Sequence, residues 1–537
     1  LLARVGIDSG RTPSARVAPI AFEDHDHDHV QEPCPNHSSI DIHHDHDHDH
    51  DHEHALTIPP TLSSHFKPTP ISTSTSAHDD QGKLPTLSRI AATHRGWLTV
   101  YKRLFLVSFS VNLACFAAAV SGHFPSARSN SALIAVANVL ALVACRSELF
   151  LRLLFAIAVF IFRRLLPFAP LRNACTFFLS NLGGIHSGCG MSALLWLAYA
   201  VSGMFSHGHD IMPIQRLQHA TAAITLALLL LTCVAAFPAL RHLHHNAFET
   251  VHRLAGWAAL AGVWLYVILS NGSSYGGGGG ADGGFYLRAG NIVCAPSVWV
   301  TTAITLLIIL PWLSVRRVPV RCLASTAAAP PRGGSTHGSV SIMHFFSSTP
   351  VQPGLLARIS RSPLSEWHAF GTVSDGRHGY LIVAGAVGDF TNGLIENPPS
   401  QVWVRTLHFA GIPYLTNMYE RVVHVATGSG IGVFLSFLLQ PTTVTTEVHF
   451  VWVAKSVKKT YGEEFAELLR TCPADRLTIY DTAERGGRPD VGGMAVEVAR
   501  RVGAQVVIVT SNPSGSKAVV DTCRANGITA IGPVWDS

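Results

Sequence analysis

Charged residues are scarce in this sequence. Of its 537 residues only 14% are Asp, Glu, Lys or Arg, whereas 48% are hydrophobic. Ordinary soluble domains carry roughly 25% charged residues, so this balance argues against a soluble enzyme and predicts a membrane protein of two or more domains. The net charge of +5 is small. Its basic residues lie beside apolar segments rather than in a stripe, so we expect no nucleic-acid partner.

Paired cysteines are also missing. The ten cysteines are scattered, and no two form a CxxC pair. Most lie in apolar segments or in the C-terminal third, where buried, reduced thiols are expected. No signal peptide is visible, and the sequence starts at Leu1 instead of Met, which is consistent with a missing natural N-terminus.

Residues 1–96 are polar and proline-rich, and they contain a His/Asp tract in two pieces, Asp24–His29 and His43–His54. Such a segment buries too little apolar surface to fold alone, so we expect disorder. Interleaved imidazoles and carboxylates are ligands for zinc, copper or nickel. A solvated low-complexity tail is the alternative to a metal-binding segment.

Residues 97–317 are predicted to form a membrane domain, because apolar runs of about 20 residues recur there. The clear spans are Arg103–Gly122, Ile185–Ser206, Leu217–Phe237, Phe248–Ser270 and Val298–Val315. The segment Ser131–Phe162 is ambiguous, since "CRSELFLR" interrupts it. It is either one span plus an apolar surface helix or two short spans.

Basic residues choose between these alternatives. If Ser131–Cys145 is a single span, the arginines and lysines that flank the spans fall on one side of the membrane. The positive-inside rule then predicts six spans with both the N-terminus and the C-terminal region in the cytosol.

Beyond a flexible linker, residues 318–340, the pattern changes twice. Residues 341–418 contain short β runs at close spacing, which are typical of a small antiparallel barrel. Residues 419–537 alternate strands with helices, which is typical of a doubly wound parallel sheet. The predicted fold is therefore a multi-span helical membrane domain, then an antiparallel β-barrel, then an α/β nucleotide-binding domain.

A glycine-rich turn follows the first strand of the α/β domain, which is predicted at Val422–Ala426. The turn is "TGSGIG", and a helix is expected from Val433 onward. Glycines let the backbone approach a pyrophosphate, and a helix start offers free N–H groups. The strict G-x-G-x-x-G pattern is not met, so a tight structural turn is the alternative. The candidate nucleotide-binding residues are Thr427, Gly428, Ser429, Gly430, Ile431 and Gly432.

A second candidate turn is "VGDFTNGL", in which Gly388 permits a sharp bend and Thr391 is expected to cap a short helix facing another anion. Before it, Trp367, His368 and Phe370 alternate along a strand. Aromatic residues on one strand are usually core. We expect these to flank a flavin, with His368 donating to its ribityl or phosphate oxygens.

These segments together carry a resemblance. "GGIHSGCG", "FETVHRLAGW", "SPLSEWHAF", "GDFT", "VATGSGIG", "WVAKSVKKTYG" and "IGPVWDS" resemble the ferric reductase and NADPH oxidase superfamily, and most of all the fungal TmpA-type membrane flavoproteins. The resemblance implies a ferredoxin-reductase-type module in which "WHAF" and "GDFT" hold FAD and "TGSGIG" holds NAD(P)H. It also implies that Trp535, near the C-terminus, stacks on the isoalloxazine ring; an ordinary packed Trp is the alternative.

Two features depart from that superfamily. The late Cys-Gly-Pro-type motif is replaced by "TSNPSG", residues 510–515, which puts efficient hydride transfer in doubt. The superfamily's two stacked haems would need two histidines on each of two helices, but only His186 and His252 fit, as an inner pair. They predict at most one b-type haem; bonds to lipid headgroups or to each other are the alternative.

The sequence therefore predicts a membrane-bound NAD(P)H-dependent FAD oxidoreductase, ferric reductase-like, that passes electrons to an unknown acceptor. Its partners are NAD(P)H, that acceptor and membrane lipid. Lys455, Lys458 and Lys459 follow the second strand and favour NADP, although solvated surface lysines explain them equally well. The alternative function is a metal-binding or sensing membrane protein whose reductase domain is degenerate.

Overall fold

The computed structural model describes residues 99–206, 212–243, 245–275, 285–325, 340–347, 349–377, 379–440 and 445–533. The His/Asp tract and Trp535 lie outside these ranges, as do residues 326–339 of the predicted linker. The described residues form a helical region, a curled antiparallel sheet and a parallel sheet, in that order along the chain.

The helical region contains eleven α-helices and one π-helical turn within the described ranges. The helices are α1 Val100–Val120, α2 Pro125–Ser129, α3 Ser131–Ala144, α4 Glu148–Phe160, α5 Ala169–Ser180, α6 Gly183–Phe205, α7 Pro213–Ala235, α8 Pro238–Leu243, α9 His245–Gly272, α10 Ala289–Cys294 and α11 Pro296–Leu313. The π-helical turn, Ile161–Leu165, directly continues α4. A short hairpin, β1 Ser273–Tyr275 and β2 Phe285–Leu287, follows α9.

Five of these helices, α1, α6, α7, α9 and α11, are long and apolar enough to cross a membrane. A sixth span arises if α3 and the α4 segment, which are bent by 70° against each other, count as one broken span. The five clear spans predicted from the sequence are thus present as helices. Their orientation across a bilayer stays a prediction.

Small residues explain how α6 packs against α1. A Cβ added at Gly184 would lie 2.2 Å from the Tyr101 carbonyl oxygen, and one at Gly188 would lie 2.0 Å from the Ser108 hydroxyl. Glycines at this i, i+4 spacing let two helix backbones approach closely, as is common in membranes. Asn112 then joins three helices, because its Oδ1 accepts from Asn138 Nδ2 at 2.9 Å and from Trp196 Nε1 at 3.1 Å.

The antiparallel sheet has six strands in the order β6-β5-β8-β3-β4-β7. They are β3 Val315–Ser325, β4 Val340–Phe345, β5 Leu355–Ser360, β6 His368–Gly371, β7 Tyr380–Gly385 and β8 Gln401–Ala410, with α12 Asp389–Glu396 between the last two. The sheet curls so that one bridge, Val373 to Leu381, links the two edges. Full closure into a barrel stays a prediction. Strand β3 begins before the predicted linker and takes up its first residues.

The parallel sheet follows a 3-10 segment, Ile412–Met418, and has the order β11-β10-β9-β12-β13. Its elements are β9 Arg421–Thr427, a 3-10 turn Gly428–Val433, α13 Ser436–Leu439, β10 Glu447–Ala454, α14 Val457–Tyr461, α15 Glu463–Arg470, β11 Leu477–Asp481, α16 Val491–Val502, β12 Val506–Thr510, α17 Pro513–Ala525 and β13 Ala530–Ile531. All pairings are parallel. The predicted doubly wound sheet is confirmed. The chain adds β10 and β11 on one side of β9 and then β12 and β13 on the other, so the strand order reverses between β9 and β12.

Candidate cofactor site

The two predicted anion-binding turns open into one cleft. It has a volume of about 300 Å³ and lies between β6 and β7 of the antiparallel sheet and the turn after β9. Six predicted site residues line it: His368, Phe370, Thr391, Ser429, Gly430 and Gly432. Ligands of open α/β sheets bind where the strand order reverses, and this cleft lies beside that point.

The turn before α12 has a local structure that differs in detail from the prediction. The helix begins at Asp389, so Thr391 lies inside its first turn and Gly388 precedes it. The Thr391 hydroxyl accepts hydrogen bonds from the N–H groups of Val387 and Gly388, both at 3.1 Å, and donates to the Gly388 carbonyl at 3.0 Å. Gly388 has no atom within 4 Å of an added Cβ, which leaves its outer side open to a ligand.

His368 presents an unsatisfied nitrogen at this cleft. Its ring stacks on Phe390 with centroids 4.0 Å apart. Its Nε2 is buried and has no hydrogen-bond partner among the described residues. The nearest carboxylate oxygen, of Glu366, is 3.6 Å away, which is too long for a hydrogen bond. A buried polar atom without a partner costs stability, so a ligand oxygen at Nε2 would fit this site.

Trp367 points away from the cleft. Because successive side chains of a strand face opposite sides, Trp367 lies on the face opposite His368 and Phe370. Its ring packs edge-on against Trp312 at 6.0 Å, and the Arg405 guanidinium lies 4.9 Å from its centroid. The structure therefore places Trp367 at the contact with the helical region, and its expected position beside a flavin stays a prediction.

The turn after β9 is a 3-10 turn, and the α-helix that follows it, α13, has only four residues. The α-helix expected from Val433 onward begins at Ser436 instead and ends at Leu439. Phe434, Leu435, Phe437 and Leu438 are all buried, so this apolar run is fixed by packing on several sides. Gly428 adopts φ +56°, a left-handed conformation that favours glycine, and its carbonyl accepts from Trp452 Nε1 at 2.8 Å.

Two glycines of this turn are needed for protein packing. A Cβ at Gly430 would lie 2.8 Å from the Thr510 carbonyl oxygen, and one at Gly432 would lie 3.1 Å from Val383 Cβ. From the other sheet, a Cβ at Gly371 would lie 2.5 Å from the Gly432 carbonyl oxygen. Ile431 is fully buried. Gly371 and Gly432 thus join the two sheets, while Gly430 packs within the parallel sheet. The backbone available to a ligand is therefore mainly that of Gly428 and Ser429.

The end of β12 supplies site residues that the sequence did not single out. Thr510 lines the cleft, and the Ser511 hydroxyl lies 2.6 Å from the Thr427 hydroxyl across the point where the strand order reverses. Asn512 caps α17 by accepting from the Gly515 N–H at 2.7 Å. The segment "TSNPSG" was read only as a departure from a family motif. Polar residues at a strand end were the signal that could have identified it.

Asp481 organises the loop where the predicted NADP-selective lysines begin. Its carboxylate accepts from the N–H groups of Ser456 at 2.8 Å, Val457 at 2.7 Å and Ala483 at 2.9 Å. Burial opposes ionisation of this carboxyl, but the backbone hydrogen bonds outweigh it and lower the pKa of Asp481. Lys458 pairs with Glu463 at 3.1 Å, so it already has a partner within the protein.

His186 and His252 face each other in the helical region, on α6 and α9, with ring centroids 6.4 Å apart. His186 Nδ1 lies 2.9 Å from the Leu142 carbonyl, and His252 Nδ1 lies 3.2 Å from the Thr232 carbonyl. Each ring thus has its Nε2 left for another partner. Within the described ranges no group of three or more His, Cys, Asp or Glu residues could hold a metal ion.

Comparison with known proteins gives one family match, to the C-terminal domain of adenylate-forming reductase 03009, over residues 412–537. Two relatives come from Coprinopsis cinerea (strain Okayama-7). Adenylate-forming reductase 06235 is 34% identical over 477 residues and adenylate-forming reductase 03009 is 32% identical over 474 residues. Each alignment covers 86% of this chain but 42% of the relative, so the chain spans less than half of their length.

Solved structures resemble the C-terminal part only distantly. The ferredoxin NADP⁺ reductase of Neisseria gonorrhoeae with bound FAD and NADP is 13% identical, with a TM-score of 0.32, and the match covers 41% of this chain and 99% of that one. Phthalate dioxygenase reductase is 14% identical, with a TM-score of 0.30, over 41% of this chain and 69% of that one. These TM-scores are too low to carry an argument about function.

Proposed function

We propose that this chain is a membrane-bound oxidoreductase that takes electrons from NAD(P)H through FAD. The observation that supports this most is the shared cleft: the Thr391 turn and the Gly430 turn lie on its opposite walls. Two separate anion-binding turns facing one space suit two phosphate-bearing cofactors. The names of the adenylate-forming reductase relatives agree with a redox function, and five apolar helices agree with a membrane location.

We assign the residues of the antiparallel sheet to FAD and those of the parallel sheet to NAD(P)H. On the antiparallel side, the open backbone at Gly388 and the start of α12 would hold the FAD pyrophosphate, and His368 Nε2 would donate to one of its oxygens. On the parallel side, Gly428, Ser429 and the Thr427–Ser511 pair would hold the nicotinamide nucleotide. FAD would supply the redox chemistry, and the two sheets would hold the two rings in one cleft.

The paired histidines support one further cofactor, a single b-type haem. The Nε2 atoms of His186 and His252, on facing helices with ring centroids 6.4 Å apart, would be the ligands of its iron. Donation from Nδ1 to a backbone carbonyl is the arrangement that orients metal-bound histidines. A haem there would accept electrons one at a time. A ferric reductase-like role and the preference for NADP over NADH remain predictions.

Cofactor analysis of the purified full chain tests this function. We expect stoichiometric FAD, released on denaturation, whose absorbance bleaches when NADPH or NADH is added without oxygen. Colourless protein whose His/Asp tract binds zinc or copper would contradict the proposal and support the metal-binding alternative. Reduced-minus-oxidised spectra test the haem separately, and His252→Ala should remove a Soret band while leaving FAD bound.

A further inference from the structure

The segment that the sequence left ambiguous has two apolar faces. On α4 and the π-helical turn, the inner side chains Phe155 and Ala158 are buried in the same core cluster as residues of both sheets. The opposite side is exposed over its whole length. We call it the outer face of α4, and it consists of Leu149, Phe150, Leu153, Ile157 and Phe160. A helix that is apolar all round needs an apolar medium on both sides.

Both charged side chains of α4 itself are turned to the protein. Glu148 is buried and pairs with Arg358 at 2.6 Å and Arg405 at 2.7 Å, both in the antiparallel sheet. Arg152 donates to the His408 carbonyl at 3.1 Å. These are the only charged residues within α4, so the outer face carries none. Such a continuous apolar surface marks an interaction site.

Two observations make the occupant a lipid bilayer. First, only Cys145, Arg146 and Ser147 separate α4 from α3, so α4 starts where an apolar helix of the membrane domain ends. Second, α4 is bent by 70° from α3. If α3 runs along the membrane normal, α4 lies close to the membrane plane. A second crossing by α4 would carry the sheet strands that its inner face contacts into the hydrocarbon layer.

The segment also connects the membrane side to the cleft. Arg163, in the π-helical turn, donates to the carbonyls of Asn417 at 2.7 Å and Tyr419 at 3.2 Å and to the Thr446 hydroxyl at 2.9 Å. These acceptors lie at the junction between the two sheets. An element fixed at the bilayer surface and bonded to this junction would hold both walls of the cleft at a constant height above the membrane.

Resting on the proposed membrane location, we propose that α4 is an in-plane anchor whose outer face lies among lipid acyl chains, just below the headgroups. The two sheets would then be attached to the membrane surface through α4 as well as through β3, which follows the last membrane helix. In-plane helices of this kind insert about 5–10 Å into the boundary between headgroups and acyl chains.

Lipid photocrosslinking tests the proposal. The full chain carries p-benzoylphenylalanine at one position and is reconstituted in phosphatidylcholine/phosphatidylserine vesicles; adducts are identified by mass spectrometry. Phe160 on the outer face is 54% exposed, Phe346 on the antiparallel sheet is 57% exposed, and Val111 in the middle of α1 is 59% exposed. Elution as folded protein is the control for each variant.

We expect lipid adducts at Phe160 and Val111 and none at Phe346, with attachment near the ester end of the acyl chain at Phe160 and near its terminus at Val111.

Adducts at Val111 but none at Phe160, or a protein adduct at Phe160, would overturn the anchor and leave the membrane domain standing. Attachment near the chain terminus at Phe160 would show a crossing helix and also overturn it. Equal labelling at Phe346 and Phe160 would remove the distinction on which it rests. No lipid adduct at either Phe160 or Val111 would overturn the anchor together with the membrane location.

Discussion

The two turns that line the cleft look alike in sequence but use glycine differently. At the turn before α12, Gly388 faces open space. At the turn after β9, Gly430 packs against Thr510 of its own sheet and Gly432 packs against Val383 of the antiparallel sheet, so a larger residue at either position would collide with the protein. A glycine-rich turn is therefore not by itself a phosphate cradle. One turn keeps room for a ligand, while the other uses two of its glycines for packing, Gly430 within its own sheet and Gly432 against the neighbouring one.

The largest effect should come from adding a side chain at the point where the two sheets touch. In Gly371→Ala the new Cβ would lie 2.5 Å from the backbone of Gly432 and Val433, and backbone cannot rotate away. We expect a loss of about 3 kcal/mol in the free energy of unfolding, in the range of overpacked cores. Thermal unfolding of the purified protein measures it. An unchanged melting temperature would show that the sheets are not in this contact.

Gly388→Ala is the matched substitution on the open side. Its φ of −156° is extended backbone that alanine adopts, so stability should change by less than about 0.5 kcal/mol. If a pyrophosphate approaches this backbone, the Cβ should weaken FAD binding about tenfold, equivalent to about 1.4 kcal/mol. Titration of the apoprotein with FAD measures the affinity. Wild-type affinity in this variant would remove Gly388 from the site.

Thr391→Val should have a smaller effect, on both stability and FAD affinity. It removes the hydroxyl that accepts from two backbone N–H groups, so we expect a loss of about 1 kcal/mol in stability. FAD affinity should fall as the turn loosens. Thr391→Ser, which keeps the hydroxyl, is the control and should restore both quantities. Equal losses in the serine and valine variants would contradict the assigned hydrogen bonds.

The smallest effect concerns pH. Because the pKa of Asp481 is lowered below 3.8 in the folded protein, its carboxylate stabilises the fold fully above that unfolded-state value. The stabilisation is lost as the pH falls through the lower, folded-state pKa. Asp481→Asn should therefore be less stable than wild type at pH 7, and the difference should shrink below about pH 4. A difference that stays constant down to pH 2 would contradict this role.

The sequence predicted those parts of the fold that depend on length and order. Apolar runs such as Leu217–Phe237 are long enough to cross a membrane, and they predicted the long helices. The alternation of strands and helices after Arg421 predicted the parallel sheet. The Thr391 and Gly430 turns were predicted because strand, turn and helix start follow each other in the chain, and their binding of cofactors stays a prediction. Their sharing of one cleft is tertiary structure that no local pattern contains.

What the sequence missed depends on contacts between distant residues. Trp367 and His368 are neighbours in the chain, and only the strand's partners decide which of them faces the cleft. The run after Gly432 has an apolar composition that suits a long helix, yet burial of Phe434 and Phe437 holds it in short turns. The pairing of Glu148 with Arg405 is another such contact: the sequence offered a surface helix after Cys145 as one alternative, but it could not say which sheet the helix packs on.

The central claim is that NAD(P)H and FAD meet ring to ring in the cleft between the two sheets. The most direct measurement is anaerobic stopped-flow bleaching of the flavin absorbance with NADPH and with NADPH deuterated at the transferred position of C4, because direct hydride transfer slows when that hydrogen is deuterium. We predict a primary isotope effect on the bleaching rate in the wild-type protein. Two results would contradict the claim. One is bleaching whose rate saturates with NADPH but shows no isotope effect; the other is no bleaching of protein that contains FAD.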